Sequence, residues 1–368
     1  MEAFLELLKV SLGTRRSLQY VPDEQEWQQL FQKAKEQAVA GICFVGVQRL
    51  REQGAGPSQE LYKKWLAVAS RVRQHNGQIN RWTAELCHEM ASDGICCCVL
   101  KGPSLGRWYG EQFAMLRQTG DIDVWMLACH REVIAWGQSH GGIWYYDYHH
   151  ADLTGFHGVE VELHYRPTIS RNLWRNSRLQ RWVRQEGESL IQQWEEAGFP
   201  VPNQYFNLIL VLNHNLWHLL YEGVGMRQMM DLFFVLQHAE SANAAMVGSL
   251  LRKFGLNKFA AASMWVLREV FGLSESRMVC LPDEKSGRFL LREVLLAGNF
   301  GHYDVRLDKG RYNNRLMLML SWMKHNLRLF RFFPAEVLWT PLGVLYISLW
   351  RRWHYAVDGK HGYYGIIQ

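Results

Sequence analysis

The sequence predicts an α+β fold, with a small mixed sheet carried between two helical regions. Three observations predict it. Residues 1–92 show apolar residues at helical spacing and nothing else. Residues 93–170 switch to short apolar runs and strict alternation. From 171 to 368 the helical period returns. These three regions are the expected domain organisation: an N-terminal helical region, an α/β core and a C-terminal helical domain.

The elements follow in order. Phe4, Leu5, Leu7, Leu8 and Val10 make residues 2–12 a short amphipathic helix. Pro22-Asp23-Glu24 opens the next, with acids in its first turn. Gly41 is expected to break it before a short helix to Leu50. Gly54 to Ser58 is a loop, and a long helix from Gln59 to Ser92 keeps Leu61, Trp65, Val68, Val72, Ile79, Trp82 and Leu86 on one side. Ile95 to Leu100 is a six-residue apolar run between Gly94 and Lys101-Gly102-Pro103, which reads as a buried strand. Pro103 or Ser104 starts a helix through Leu105, Trp108 and Tyr109.

A strand over Asp121–Leu127, a helix from Arg131 to Ser139 and an aromatic strand over Ile143–Tyr148 follow. Val159–Tyr165 has the clearest period of two in the chain. Val159, Val161 and Leu163 face the core, and Glu160, Glu162 and His164 face the other way. Beyond Asn172 helices are expected, with Pro200 and Pro202 at a boundary, helices over Tyr205–Tyr221 and Arg227–Ala239, and a Gly- and Tyr-rich tail over 355–368.

Composition sets limits. With 48% hydrophobic and 21% charged residues the chain is an ordinary folded protein. A net charge of +6 suits an anionic ligand without demanding one. The seven cysteines include the run Cys96-Cys97-Cys98 and show no C-x-x-C spacing, so buried free thiols in a reducing cytoplasm are expected. Val337 to Trp350 is apolar, but it is too short for a bilayer span and contains Pro341. A buried or surface-lying helix is expected there, with an interfacial membrane contact as the lesser option.

The chemistry centres on Gly120-Asp121-Ile122-Asp123. In a strand, residues i and i+2 share a face, so Asp121 and Asp123 project side by side. Two like charges that close repel, and a divalent metal relieves them; oxygen ligands suit Mg²⁺ or Mn²⁺. The bare pattern also fits a solvated turn before a strand.

In combination, Val99-Leu100-Lys101-Gly102, Arg117 with Gly120-Asp121-Ile122-Asp123, Val161-Glu162-Leu163-His164-Tyr165 and Glu222-Gly223-Val224-Gly225-Met226-Arg227-Gln228-Met229-Met230-Asp231 resemble a known family. They are similar to the nucleotidyltransferase superfamily that includes DNA polymerase β and the kanamycin-type adenylyltransferases. The chain more closely resembles a bacterial family of largely uncharacterised nucleotidyltransferases. The resemblance implies a polymerase β-like sheet, a nucleoside triphosphate such as ATP as substrate, and metal held by Asp121, Asp123 and a third carboxylate. Glu162 matches that third position, and Glu160 on the same face is the alternative.

The superfamily usually places Gly-Ser at the first helix start, where free N–H groups hold phosphate. Here the turn reads Lys101-Gly102-Pro103-Ser104, so Lys101 is expected to supply charge and Ser104 a hydroxyl. Arg117 either joins them on the phosphates or pairs with an acid. His164 orients Glu162, touches substrate, or is a plain strand histidine. His214 and His218, at i and i+4, lack the H-E-x-x-H pattern of a zinc helix and are expected to pack or line the cleft. Arg227 and Asp231 either bridge each other or line the cleft from the helical half.

The expected activity is metal-dependent transfer of a nucleoside monophosphate to a hydroxyl of an unknown acceptor. The alternative is a catalytically inactive nucleotide- or partner-binding regulator of the same fold. Nucleic acid is a possible acceptor that is not favoured, because no Lys/Arg-rich tract is present.

Overall fold

The computed structural model of the chain describes residues 2–238, 244–307 and 315–358. Four helices open it: α1 (Glu2–Leu12), α2 (Glu24–Glu36), α3 (Ala40–Glu52) and α4 (Gln59–Ser92). Asp23 and Glu26 form a reciprocal capping box at the start of α2. The break after α2 falls at Gln37–Val39, where Ala38 adopts φ +54°, and not at Gly41. Gly41 lies inside α3 for another reason: a Cβ there would stand 2.5 Å from the Leu116 carbonyl oxygen. Ser58 caps α4, whose 34 residues span about 51 Å. Its apolar stripe divides. Leu61, Trp65 and Ala69 enter a large core with α1 and α3, while Ile79, Leu86 and Met90 enter a second core under the sheet.

The α/β region contains β1 (Cys97–Leu100), α5 (Gly102–Phe113), β2 (Ile122–Met126), α6 (His130–Ser139), β3 (Ile143–Tyr146), β4 (His150–Leu153) and β5 (Val161–His164). Together the strands form one mixed sheet in the order β1-β2-β5-β4-β3, with only the β2–β5 pair parallel. One face carries Val99, Ile122, Val124, Met126, Ala151, Leu153, Val161 and Leu163 and packs on Val133 and Trp136 of α6. The other face is split. Cys98 and Trp125 at one end join the large core, Trp125 meeting the Phe206 ring at 5.5 Å, while the other end bears acids and histidines. Cys97 and Cys98 are buried and Cys96, just before the strand, is exposed; all seven cysteines are free thiols.

Beyond the sheet come α7 (Leu173–Glu186), a hairpin of β6 (Ile191–Trp194) and β7 (Phe199–Pro202), then α8 (Gln204–Tyr221), α9 (Met226–His238), α10 (Ala244–Phe254), α11 (Asn257–Val266), α12 (Glu284–Ala297), α13 (Arg315–Phe330) and α14 (Pro334–Val357). The hairpin occupies a stretch expected to be helical up to Pro200. Its two prolines sit in β7, a strand of a two-stranded sheet that leaves alternate N–H groups free. Tyr355–Val357 continue α14, whereas Ala239 and residues 359–368 of the expected tail lie outside the described residues. Among the described residues no helix is long and apolar enough to cross a membrane. α14 lies on the surface, with Leu338, Leu342, Leu345, Leu349 and Trp353 exposed along one side.

A buried ion pair joins the loop before β2 to α9. Arg117 Nε and Nη2 donate to the two Asp231 oxygens at 2.6 and 2.9 Å, and Tyr109 donates to Asp231 Oδ1 at 2.6 Å. Both charged side chains are about 5% exposed. Breaking such a pair strands a charge away from water. Asp231→Ala should therefore lower unfolding free energy by about 3–5 kcal/mol in urea titration. Lys64→Ala, which removes the exposed Lys64–Glu60 pair, should leave it unchanged in the same titration.

Candidate active site

Strand register builds the site. In the parallel β2–β5 pair Asp123 lies opposite Glu162, and in the β5–β4 pair Glu162 lies opposite Asp152. Residues opposite each other share a face, so three carboxylates form a row across three strands. His164 and His150, also opposite one another, form the next row. Asp121 precedes β2 by one residue, on the Asp123 side. Glu162 is thus the carboxylate beside Asp123; Glu160 is exposed and stands before β5.

Cations answer this row. Asp123 is only 1% exposed, and Lys101 Nζ sits 2.7 Å from its Oδ1. His164 Nε2 lies 2.9 Å from the same oxygen and 3.1 Å from Glu162 Oε2. His150 Nδ1 is 3.8 Å from Glu162 Oε2, and its Nε2 is 3.1 Å from Asp152 Oδ1. Burial opposes the charge on His150, but Glu162, Asp147 and Asp152 outweigh it and push its pKa up to about 10. Burial likewise works against ionised Glu162, yet His150, His164 and Lys101 hold its carboxyl well below the usual range. His164 is raised by its two carboxylates against the cost of burial. His149, by contrast, is pushed down to about 4 by burial, despite Asp147.

The turn after β1 is strained where it meets Asp121. Lys101 adopts φ +44° and Gly102 φ +25°. A Cβ on Gly102 would lie 3.1 Å from the Asp121 carbonyl oxygen, so a glycine there lets the turn pass close to the carboxylate segment. Ser104 is wholly buried and its hydroxyl donates to the Lys101 carbonyl at 2.8 Å, so its side chain braces the turn. The start of α5 leaves the Gly102 and Ser104 N–H groups at the turn, Pro103 having none.

Helices α8 and α9 roof the carboxylates. His214 Nε2 meets His218 Nε2 at 2.7 Å, and His218 Nδ1 faces Glu222 at 3.2 Å. Burial lowers the pKa of His214, and the Lys101 charge adds to the effect. Arg227 does not bridge Asp231, which Arg117 occupies. It donates instead to the Gln118 carbonyl at 2.8 Å and Asn299 at 3.2 Å, with Asp121 among its charge neighbours. Arg117 is committed to Asp231 and to the Thr119 hydroxyl.

Of the residues singled out in the sequence, Lys101, Gly102, Asp121, Asp123, Glu162, His164 and Arg227 converge. Arg117 and the Ser104 hydroxyl are tied up beside them. The sequence reading passed over Asp147, His149, His150 and Asp152. Their signal was the short run Asp147-Tyr148-His149-His150-Ala151-Asp152, hidden because β4 was not expected. Asp147 Oδ1 accepts from the His149 backbone N–H at 2.8 Å in a side-chain turn that brings two successive histidines to one side.

A family model described as "Uncharacterised nucleotidyltransferase" matches residues 23–272. The chain belongs to the uncharacterised nucleotidyltransferase family. The family match takes in the whole five-stranded sheet and the roof of α8 and α9, and leaves α12–α14 beyond it. Membership in a nucleotidyltransferase family implies a transferase enzyme with a nucleoside triphosphate substrate. No curated protein and no solved structure matches the chain.

Asp121 offers a stability test. Burial, with Asp123 and Glu162, pushes its pKa up to about 6, against the opposing pull of Lys101 and Arg227. Folding thus favours its protonated form. That stabilisation is fully present below the ordinary value of 3.8 and is lost as pH rises through about 6. In metal-free buffer at pH 8, Asp121→Asn should be more stable than wild type by roughly 1–3 kcal/mol. The gap should close toward pH 4 when both are followed by thermal melting.

Proposed function

We propose that the chain transfers a nucleoside monophosphate from an NTP to a hydroxyl acceptor, with Mg²⁺ or Mn²⁺ held by Asp121, Asp123 and Glu162. One observation carries this reading: the β2–β5 register sets Glu162 beside Asp123, with Asp121 two residues earlier at the same strand entry. The donor chemistry fits a hard divalent ion, because the row offers carboxylate oxygens, and Asp123, Glu162 and His164 each present an atom within 4.8 Å of the others. Bound there, such an ion would neutralise charge on the attacking and leaving oxygens of an in-line displacement.

The chain's own groups supply the rest. Lys101, freed from Asp123, turns its ammonium to a phosphate oxygen of the NTP. The Gly102 and Ser104 N–H groups at the α5 start face the same phosphates. Arg227 approaches from the roof and adds a second cation. The acceptor oxygen bonds to the α-phosphorus, the bond to pyrophosphate breaks, and the acceptor's proton leaves through Glu162 or water. His164 holds Asp123 and Glu162 in register. Arg117 positions the Thr119–Asp121 segment through its pair with Asp231.

A second reading has its own observation. Lys101 already satisfies Asp123 at 2.7 Å, which suits a protein that binds nucleotide without turning it over. Pyrophosphate release from each NTP, with Mg²⁺ and a panel of hydroxyl acceptors, separates the two. Catalysis predicts release that falls at least about 100-fold in Asp123→Asn. Tight NTP binding with no release from any acceptor would favour the binding protein, and a fully active Asp123→Asn would end the catalytic reading.

A further inference from the structure

We propose that His149, His150 and His164 form a transition-metal site, taking an ion of zinc's class, that borders the carboxylate row through His164. The three rings cluster. Their centroids are 4.2 Å apart for His149–His150, 5.6 Å for His149–His164 and 5.4 Å for His150–His164. One nitrogen from each lies within 4.8 Å of the others.

The orientation of the rings is the stronger argument. Each histidine turns one nitrogen toward a carboxylate: His149 Nδ1 lies 2.8 Å from Asp147, His150 Nε2 3.1 Å from Asp152, and His164 Nε2 2.9 Å from Asp123. Only the His164 contact has hydrogen-bond geometry: Asp123 there fixes the tautomer and leaves Nδ1 as the nitrogen for a metal, while Asp147 and Asp152 stand by the other two rings as charges. His164 is 2% exposed, and its buried Nδ1 has no hydrogen-bond partner among the described residues. His149 Nε2 and His150 Nδ1 face each other at 3.0 Å. Two ring nitrogens so placed need a proton or a metal ion between them. At the tetrahedral angle of zinc, two nitrogens each about 2.1 Å from the ion stand about 3.4 Å apart, so this pair opens by a few tenths of an ångström to admit it.

The chemistry of the donors separates this site from the other. Three imidazoles select borderline ions such as Zn²⁺ or Co²⁺, whereas carboxylates alone select Mg²⁺ or Mn²⁺. Glu162, with Oε2 3.8 Å from His150 Nδ1, stands between the two sites and can add an oxygen ligand. The inference concerns binding and holds whether or not the chain turns over nucleotide.

The test is a Co²⁺ titration of the tag-free, full-length, metal-free chain, followed by visible absorption, with Zn²⁺ then added as competitor. The expected result is one tightly bound Co²⁺ that Zn²⁺ displaces. His149→Gln and His150→Gln should each weaken binding at least about tenfold. Asp121→Asn should leave binding within about threefold of wild type, since Asp121 faces the other site. Circular dichroism melts confirm that each variant is folded, and His149, the more exposed ring, is the variant least prone to misfold. No Co²⁺ binding in wild type, binding unchanged in both folded histidine variants, or binding lost in Asp121→Asn would each overturn the assignment.

Discussion

The structure depends on one buried carboxylate. Asp123 sits on the second strand of the sheet with almost no exposure, and an isolated charge there would be prohibitive. Its neighbours are arranged as an answer to it. Lys101 reaches it from a backbone turn in the left-handed region, and His164 reaches it from the next strand. His164 in turn shares its proton with Glu162, and Glu162 draws on His150. The row reads as alternating charge across three strands. Every member depends on a cation being present somewhere among them.

The sheet tolerates this because its second face is divided along the strands. Trp125 and Cys98 bury one end under α8, and only two residues away Asp123 begins the polar end. The same helices that cover the apolar end continue over the polar one. Holding that roof falls to Arg117 and Asp231, a charge pair that ties the loop before β2 to α9. Displacing it would move Arg227 and the Asp121 segment together, since Arg227 grips the Gln118 carbonyl next door.

Features carried by local pattern were legible in the sequence. The long helix Gln59–Ser92 has the bounds its spacing implies, and the alternation around Glu162 correctly puts it on the face opposite Val161 and Leu163. The same alternation says nothing of what covers the far face, so His164 reads as outward although it is buried. β4 escaped notice because His150-Ala151-Asp152-Leu153 has polar residues where its face meets the site, which hides the apolar signal. The β6–β7 hairpin was masked by prolines that usually mark an end of structure. Arg117 pairs with an acid, one of its two expected roles, but which acid was not legible: Asp231 is 114 residues away, and no periodicity reports a tertiary ion pair.

The most direct measurement is anomalous diffraction at the manganese edge from crystals grown with Mn²⁺ and a non-hydrolysable NTP. If the carboxylate row is a nucleotidyl-transfer centre, an anomalous peak will lie within bonding distance of Asp121, Asp123 and Glu162. Lys101 will have left Asp123 for a phosphate oxygen. Nucleotide bound with Lys101 still on Asp123 and no peak at the carboxylates would contradict the account.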